Sequence, residues 1–197
     1  MDLLQKLRGE METERLRLRR WKQKDFKEYV AFMSDPEVMI PAGARVLDTL
    51  DKAMPVFHRD LRDEGCFAME LKETGEVIGR IKFQTDLRRY DVQSLSLGYE
   101  LRQDCWGNGY MREALCAMIL RAFEREKVDV IGISHDSENH RSRRVIEKCG
   151  FQYEGTVHHA RRRADGKIVD DLYYYLPREA FPAWKEKFFP ARNMTNL

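Results

Sequence analysis

Residues 94–133 constrain the fold of this chain more than any other segment. Within 110–126, apolar residues recur at intervals of three and four, which is the period of a helix that packs on one side. A β-rich run precedes this helix at 94–102, and a second one follows it at 128–133. Two strands joined by a helix form a crossover unit in which the strands lie parallel. The segment therefore predicts one parallel strand pair bridged by a helix.

The remaining sequence adds strands and helices around this unit. Two-residue alternation or β-rich composition predicts further strands at 14–21, 66–72, 77–83, 151–158 and 168–176. Helical patterns occur at 24–33, 48–62, 142–149 and 181–189, and the first two are separated by Pro36 and a Pro-Ala-Gly turn. We expect an α+β fold with a mixed, mostly antiparallel sheet of about six or seven strands, one parallel pair, and helices on both faces.

Length and composition predict one domain of the soluble, globular class. The 197 residues suit a single core, so we assign 1–197 to one domain, with a leader at 1–12 and a C-terminal appendage at 180–197. No window approaches the ~20 apolar residues of a membrane span and no secretory signal is evident, which predicts a cytoplasmic protein without membrane contact. A net charge of +2 gives no reason to expect a nucleic acid partner. The four cysteines and five histidines lack metal-ligand spacing, so we expect reduced thiols and no metal.

Two glycines one residue apart, Gly107 and Gly109, stand at the start of the predicted helix 110–126. At a helix start the first backbone N–H groups have no partner within the helix, and the helix dipole adds partial positive charge, which suits an anion. Glycines also let a phosphate approach the backbone closely. A tight turn is the alternative interpretation. The spacing fits neither the Walker loop nor the dinucleotide fingerprint, which needs a third glycine where Arg112 stands.

Two longer motifs give this loop a more specific interpretation. GYELRQDCWGNGYMREAL and ENHRSRRVIEKCGFQYEG resemble the acetyl-CoA-binding core of the GNAT superfamily of N-acetyltransferases. The opening TERLRLRRW and the closing DGKIVDDLYYYL resemble its branch of ribosomal-protein N-terminal (RimJ/RimL-type) acetyltransferases. The resemblance implies a GNAT-like acyl-CoA N-acyltransferase fold with a splayed parallel strand pair. It also implies acetyl transfer from acetyl-CoA to a primary amine, on a protein N-terminus or a small molecule, by direct attack in a ternary complex.

The resemblance further implies which residues bind acetyl-CoA. The pyrophosphate would lie on the loop and helix start formed by Trp106, Gly107, Asn108, Gly109, Tyr110 and Met111. Asp104 departs from the Gln or Arg that is usual at the first loop position. The pantetheine arm would pair with the backbone between Tyr99 and Leu101 and bond to Asn139, whose alternative role is a helix cap or loop residue. By their nearness to this loop, Arg141, Arg143 or Arg144 could meet the 3′-phosphate or adenine end of CoA, with solvated surface charge as the alternative.

The catalytic candidates are a serine and a glutamate. Ser142 matches a serine that lies near the thioester sulfur in this branch, with simple helix capping as the alternative. Ile146 stands where many relatives carry a tyrosine acid, so Ser142, a water or no residue would protonate the leaving thiolate. Glu100 is our candidate for the carboxylate that takes the amine proton, with an exposed or salt-bridged glutamate as the alternative. Asp170 and Asp171 fit a strand near the acceptor, where they could select a cationic amine.

Other functions stay open on the sequence alone. Basic clusters at 140–144 and 158–163, together with the missing tyrosine, would also suit a regulatory or RNA-associated module that keeps the fold without turnover. A thiol enzyme using Cys105 or Cys149 would need a His–acid pair that the sequence does not place. No motif identifies the acceptor amine or decides between a monomer and a homodimer.

Overall fold

The structure is a computed structural model that describes residues 9–125 and 127–190. Its strands are Met11–Glu12 (β1), Leu16–Arg19 (β2), Cys66–Leu71 (β3), Val77–Thr85 (β4), Ser94–Leu101 (β5), Val130–Asp136 (β6), Gln152–Arg162 (β7) and Ile168–Pro177 (β8). Its helices are Phe26–Met33 (α1), Pro36–Met39 (α2), Leu50–Arg62 (α3), Tyr110–Arg125 (α4), His140–Lys148 (α5) and Phe181–Phe188 (α6). The predicted α+β class is confirmed.

The strands form one mixed sheet in the order β1-β2-β3-β4-β5-β6-β8-β7. The predicted parallel pair is β5 with β6, joined through α4, and the other neighbours are antiparallel. The sheet has eight strands in the described residues, so the expected six or seven was too few. The extra strand is β1, whose two residues are too short to show any period, and it lies inside the segment predicted to be a leader.

Helices cover both faces of the sheet, as predicted, and alternate residues of β3 show why. Phe67 and Met69 belong to one core, which also contains the apolar face of α4. Cys66 and Ala68 belong to a second core, under α1, α2 and α3. Because successive side chains of a strand point to opposite faces, this alternation places the two cores on opposite sides of the sheet.

The structure places Pro36 and the start of the predicted appendage more specifically than the sequence did. Pro36 does not merely separate helices but starts α2, where its missing N–H costs nothing, and Asp35 caps this helix by accepting a bond from the Glu37 N–H at 2.9 Å. The start of the predicted appendage packs onto the core, because the Trp184 side chain is buried and its Nε1–H donates to the Cys149 carbonyl at 2.7 Å. Residues 1–8 and 191–197 of the predicted leader and appendage lie outside the described residues.

The parallel pair separates part-way along its length. Pairing begins at Ser94 and Val130 and ends at Leu97 and Ile133, although β5 continues to Leu101 and β6 to Asp136. We call this divergence the strand fork. It corresponds to the splayed pair that the family resemblance implied, and it positions the candidate site.

Candidate active site

The glycine loop has the backbone shape that the sequence analysis anticipated. Gly107 and Gly109 both have φ of 81°, a conformation that side chains with a Cβ rarely adopt. A Cβ at Gly107 would meet no described atom within 4 Å, and one at Gly109 would meet only the Arg15 guanidinium, at 3.5 Å. Close packing against protein atoms therefore does not explain why glycine stands at either position. Helix α4 begins immediately afterwards at Tyr110, so its first N–H groups lie beside the loop.

Arg15, which sequence reasoning missed, ties the chain before β2 to this loop. Its Nη1–H donates to the Asn108 carbonyl at 2.9 Å, its Nε–H donates to Glu113 at 2.8 Å, and its guanidinium lies 4.6 Å from the Tyr110 ring centre. Burial opposes ionisation of Glu113, but bonds from Thr13 and Arg15 hold the pKa of this carboxyl below its usual value. Arg15 thus places positive charge beside the loop and compensates the acid on the first turn of α4.

Tyr99 and Ser142 meet at the strand fork. The Tyr99 hydroxyl lies 2.6 Å from Ser142 Oγ, and both residues line the same cavity. Burial raises the pKa of Tyr99 well above its usual value, so this hydroxyl keeps its proton. Ile146, the position where a tyrosine acid was looked for, is fully buried in the core. The fork therefore contains a tyrosine hydroxyl after all, supplied by β5 instead of α5.

Two side chains, Asn139 and Trp106, form hydrogen bonds that link the segments around the strand fork. Asn139 caps α5 by accepting from the Ser142 N–H at 3.0 Å, which is the alternative role given above, and its Nδ2–H donates to the Pro41 carbonyl at 2.9 Å. The Trp106 Nε1–H donates to the Leu101 carbonyl at 2.9 Å, which joins β5 to the glycine loop. This carbonyl thus already has a protein partner in the stretch assigned to the pantetheine arm.

Other predicted cofactor residues have distinct surroundings. The Asn108 side chain donates to the Cys105 carbonyl at 3.2 Å and so holds the loop closed, while Met111 is buried in the core. Asp104, which replaces the Gln or Arg that is usual at the first loop position, accepts a hydrogen bond from Arg102 at 2.6 Å. Arg144 is exposed, and the Arg141 guanidinium lies 3.9 Å from the centre of the Trp106 ring, beside the loop.

A cavity of about 680 Å³ opens beside the fork and is lined by Tyr99, Asn139 and Ser142 together with residues of β4 and of the segment after α2. Glu100 also lines it, but the carboxylate is buried and accepts two bonds from Arg80, each at 2.8 Å. The salt-bridged alternative for Glu100 is thus the one observed.

The buried Arg80 side chain links the sheet to helices α1 and α3. Besides its bonds to Glu100, it donates to Asp60 of α3 at 2.5 Å, and Asp60 in turn accepts from the Tyr29 hydroxyl of α1 at 2.8 Å. Arg80, Asp60 and Tyr29 are all buried. One arginine therefore balances two buried carboxylates at the floor of the cavity.

His135 is a cavity-lining residue that the sequence analysis did not single out. Its Nδ1 lies 2.7 Å from the Asp136 carbonyl, which can only accept, so Nδ1 carries the proton and Nε2 keeps its lone pair. Burial lowers the pKa of this imidazole below its usual value. Its Nε2 lies 3.4 Å from the buried Tyr174 hydroxyl, which can donate to the lone pair of this neutral imidazole.

The second basic cluster and the two aspartates largely pair with one another. Asp170 accepts from His158 at 2.9 Å, Asp171 lies 3.0 Å from Arg161, and Arg163 pairs with Asp165 at 2.6 Å. Asp170 and Asp171, which the sequence analysis considered for selecting a cationic amine, therefore already have basic partners within the protein.

The four cysteines are buried thiols, as expected. Among the described residues, no group of three or more His, Cys, Asp or Glu side chains is arranged to hold a metal ion. Within that same part of the chain, no helix is long and apolar enough to cross a membrane.

A family model described as acetyltransferase (GNAT) domain matches residues 15–152. The chain belongs to this family. This GNAT protein is 28% identical over 174 residues to the uncharacterized N-acetyltransferase p20 of Bacillus licheniformis, a match that covers 86% of the chain and 96% of the relative. These findings identify an acyltransferase of the N-acetyltransferase type.

Solved structures show the same fold for this GNAT protein. An acetyltransferase (GNAT family) from Bacillus anthracis superposes with a TM-score of 0.77 at 23% identity, covering 87% of this chain and 99% of that chain. RimJ of Mycobacterium smegmatis, solved in complex with CoA-disulfide, superposes with a TM-score of 0.72 at 21% identity, covering 88% of both chains. The fold class predicted from the sequence is therefore confirmed in its family detail.

Proposed function

We propose that this enzyme transfers the acetyl group of acetyl-CoA to a primary amine by direct attack in a ternary complex. The observation that carries the proposal is the strand fork, where the β5–β6 pairing stops at Leu97 and Ile133 while both strands continue. The fork borders the cavity through Tyr99 and Ser142, and it connects to the glycine loop through the bond from Trp106 to Leu101. A thioester at the fork would thus lie between a phosphate-binding loop and an acceptor cavity.

The glycine loop fits the diphosphate of this cosubstrate. Gly107 and Gly109 leave room for close approach, the first N–H groups of α4 donate toward an anion, and Arg15 adds a cation anchored on the loop carbonyl. Among the predicted arginines we favour Arg141, which is stacked on Trp106, for the 3′-phosphate, with Arg144 beside it.

The reaction forms a bond between the amine nitrogen and the acetyl carbonyl carbon and breaks the carbon–sulfur bond, so the thiolate gains a proton and the amine loses one. We assign the first proton to Ser142, with the Tyr99 hydroxyl replacing it through their 2.6 Å contact. Glu100 could accept the second proton only by weakening its two bonds to Arg80. His135 Nε2 could accept this proton by giving up only its long 3.4 Å contact with the Tyr174 hydroxyl. We therefore favour His135 Nε2 as the base and propose that Glu100 acts through the electrostatics of the cavity floor.

The test is calorimetric titration of the purified protein with acetyl-CoA, with ATP and NAD as controls. We expect binding of acetyl-CoA alone, in the micromolar range, and its loss in Gly107→Val/Gly109→Val, because both positive φ angles disfavour a branched residue. Gly75→Val is the matched control, since Gly75 also has positive φ and open space but lies in the turn between β3 and β4.

Two results would decide against the proposal. A folded wild-type protein that binds no acetyl-CoA would favour the regulatory or RNA-associated alternative, for which salt-dependent RNA binding is the direct assay. Equal loss of binding in the Gly75 control would mean that the loop variants act through stability alone.

A further inference from the structure

Positive charge dominates the lining of the cavity. Six cationic side chains line it, namely Arg45, Arg59, Arg80, Lys82, Arg88 and Arg161, against the two carboxylates Asp86 and Glu100. Two more carboxylates reach lining arginines: Asp60 pairs with Arg80, and Asp171 lies 3.0 Å from Arg161. Even with these counted, cations exceed carboxylates.

The excess resides in two residues. Arg59 lies 3.6 Å from Asp60, and Arg88 lies 3.5 Å from Asp86 while stacking on the Tyr173 ring. Arg45 and Lys82, in contrast, have no ion-pair partner within residues 9–125 and 127–190. Unpaired cations facing a cavity that already contains buried ion pairs would repel a polyamine and attract an anion.

Lys82 is close to the proposed reaction centre. It pairs in register with Gly98, the residue before Tyr99, and a Cβ at Gly98 would lie 3.5 Å from Lys82 Cε. The lysine side chain therefore passes beside β5 at ordinary van der Waals distance from that position, whereas the Gln84 amide nitrogen is the atom that a Cβ there would overlap. Because Lys82 is half-buried, its charge is screened by salt less than that of a surface lysine.

The segment between α2 and α3, residues 40–49, encloses this space, and we call it the cover loop. The Pro41 carbonyl accepts from Asn139 at 2.9 Å, and Gly43 touches the Arg161 guanidinium so closely that a Cβ there would overlap it. The loop is thus held from α5 and from β7 at once. A cavity of about 680 Å³ with such a cover matches the volumes of small-molecule sites.

On the basis of the proposed acetyl transfer, we propose that the acceptor is a small primary amine that carries a carboxylate or a phosphate. Lys82 and Arg45 bind this anion and thereby place the amine at the strand fork. A cationic polyamine and a protein N-terminus lacking a nearby anion are the acceptors that this arrangement disfavours.

The test compares matched acceptors at saturating acetyl-CoA by the rate of CoA release. Each of a panel of amino acids is paired with its carboxamide, and aminoalkyl phosphates are paired with the corresponding amino alcohols. Spermidine and a C-terminally amidated peptide represent the disfavoured classes. We expect kcat/KM to be at least about tenfold higher for the anionic member of the pair, as befits one charge-assisted contact. The carboxylate and phosphate arms show which anion is preferred.

Lys82→Met should remove this preference by raising KM for the anionic amine about tenfold and leaving its uncharged partner unchanged. Lys27→Met, which removes an exposed lysine of α1, is the charge-matched control and should behave as wild type. Arg45→Gln, in the exposed part of the cover loop, repeats the test should Lys82→Met fold poorly.

Equal use of both members of each pair, or preferential use of spermidine or the peptide, overturns the acceptor class and leaves acetyl transfer intact. Binding of acetyl-CoA without turnover of any amine overturns both proposals. Failure to bind acetyl-CoA overturns the proposed function, independently of the acceptor panel.

Discussion

At the scale of single residues, the contact between Tyr99 and Ser142 carries the first prediction. Ser142→Ala should lower kcat about 100-fold and Tyr99→Phe about tenfold, because each removes a hydroxyl from the route that protonates the thiolate. The double variant should lose little more than Ser142→Ala, since residues that act as a unit are not additive. Steady-state rates of the three variants, with acetyl-CoA affinity measured beside them, provide the check.

Tyr90→Phe is the control, because Tyr90 is 85% exposed and its hydroxyl should not affect the rate. Losses in kcat that simply multiply in the double variant would contradict a shared route. A parallel loss of acetyl-CoA affinity would instead indicate that the pair binds the cosubstrate.

Sequence reasoning selected these residues but not their partners. Ser142 and Tyr99 were identified separately, the tyrosine only for its backbone, because they are 43 positions apart in the chain. The ion pair of Glu100 could be inferred only from the structure, in which the strand register places Arg80 directly opposite it. Contacts of this kind depend on strand register, which local patterns do not encode.

At the scale of elements, the junction of the chain before β2 with the start of α4 carries the second prediction. Arg15→Gln should weaken acetyl-CoA binding about tenfold by removing a cation beside the loop and leaving Glu113 unpaired near the diphosphate. Calorimetric titration measures this loss directly. Combining Arg15→Gln with Glu113→Gln should recover part of the affinity, since it removes the repelling charge.

Arg17→Gln is the matched control, because Arg17 lies two residues along the same segment but pairs with Glu12 and Glu70. An equal loss in both single variants would show that β2 is merely destabilised. No recovery in the paired variant would argue against electrostatic repulsion by Glu113.

Long, strongly periodic elements were the easiest to predict. The repeat at 110–126 predicted α4, which the structure describes as Tyr110–Arg125. The prediction was easy because many apolar residues share one helical period. The two residues of β1 and the four of α2 have too few positions to show any period. Proline at 36 was read as a break, although proline is equally compatible with the first position of a helix.

At the scale of the whole molecule, Arg80 carries the third prediction. Arg80→Met should destabilise the fold by about 3–5 kcal/mol, because Asp60 and Glu100 would stay buried without their cation. Urea unfolding followed by circular dichroism gives this difference in the free energy of unfolding.

Arg59→Met supplies the comparison. Its side chain is 63% exposed and its Nε lies 3.6 Å from the same Asp60, so the expected change in the free energy of unfolding is below about 1 kcal/mol. Similar effects of the two variants would mean that the buried network contributes no more than a surface ion pair.

The acceptor cavity was the part of the molecule least accessible to sequence reasoning. Its cations come from α3, β4, the segment after β4, β7 and the cover loop, which the sheet order and the helical layer bring together. One local signal was present: Arg80, Lys82 and Gln84 alternate with the core residues Ile81 and Phe83. That alternation predicts a polar face on β4, but only the fold shows that this face lines a cavity.

Asn139 connects the two halves of the site through a single amide group, whose oxygen caps α5 at the fork and whose nitrogen holds Pro41 of the cover loop. The geometry that receives the cosubstrate and the geometry that encloses the acceptor therefore share one side chain. A drift in acceptor preference during evolution would have to proceed through the cover loop itself, because replacing this asparagine of the α5 cap would disturb both substrates at once.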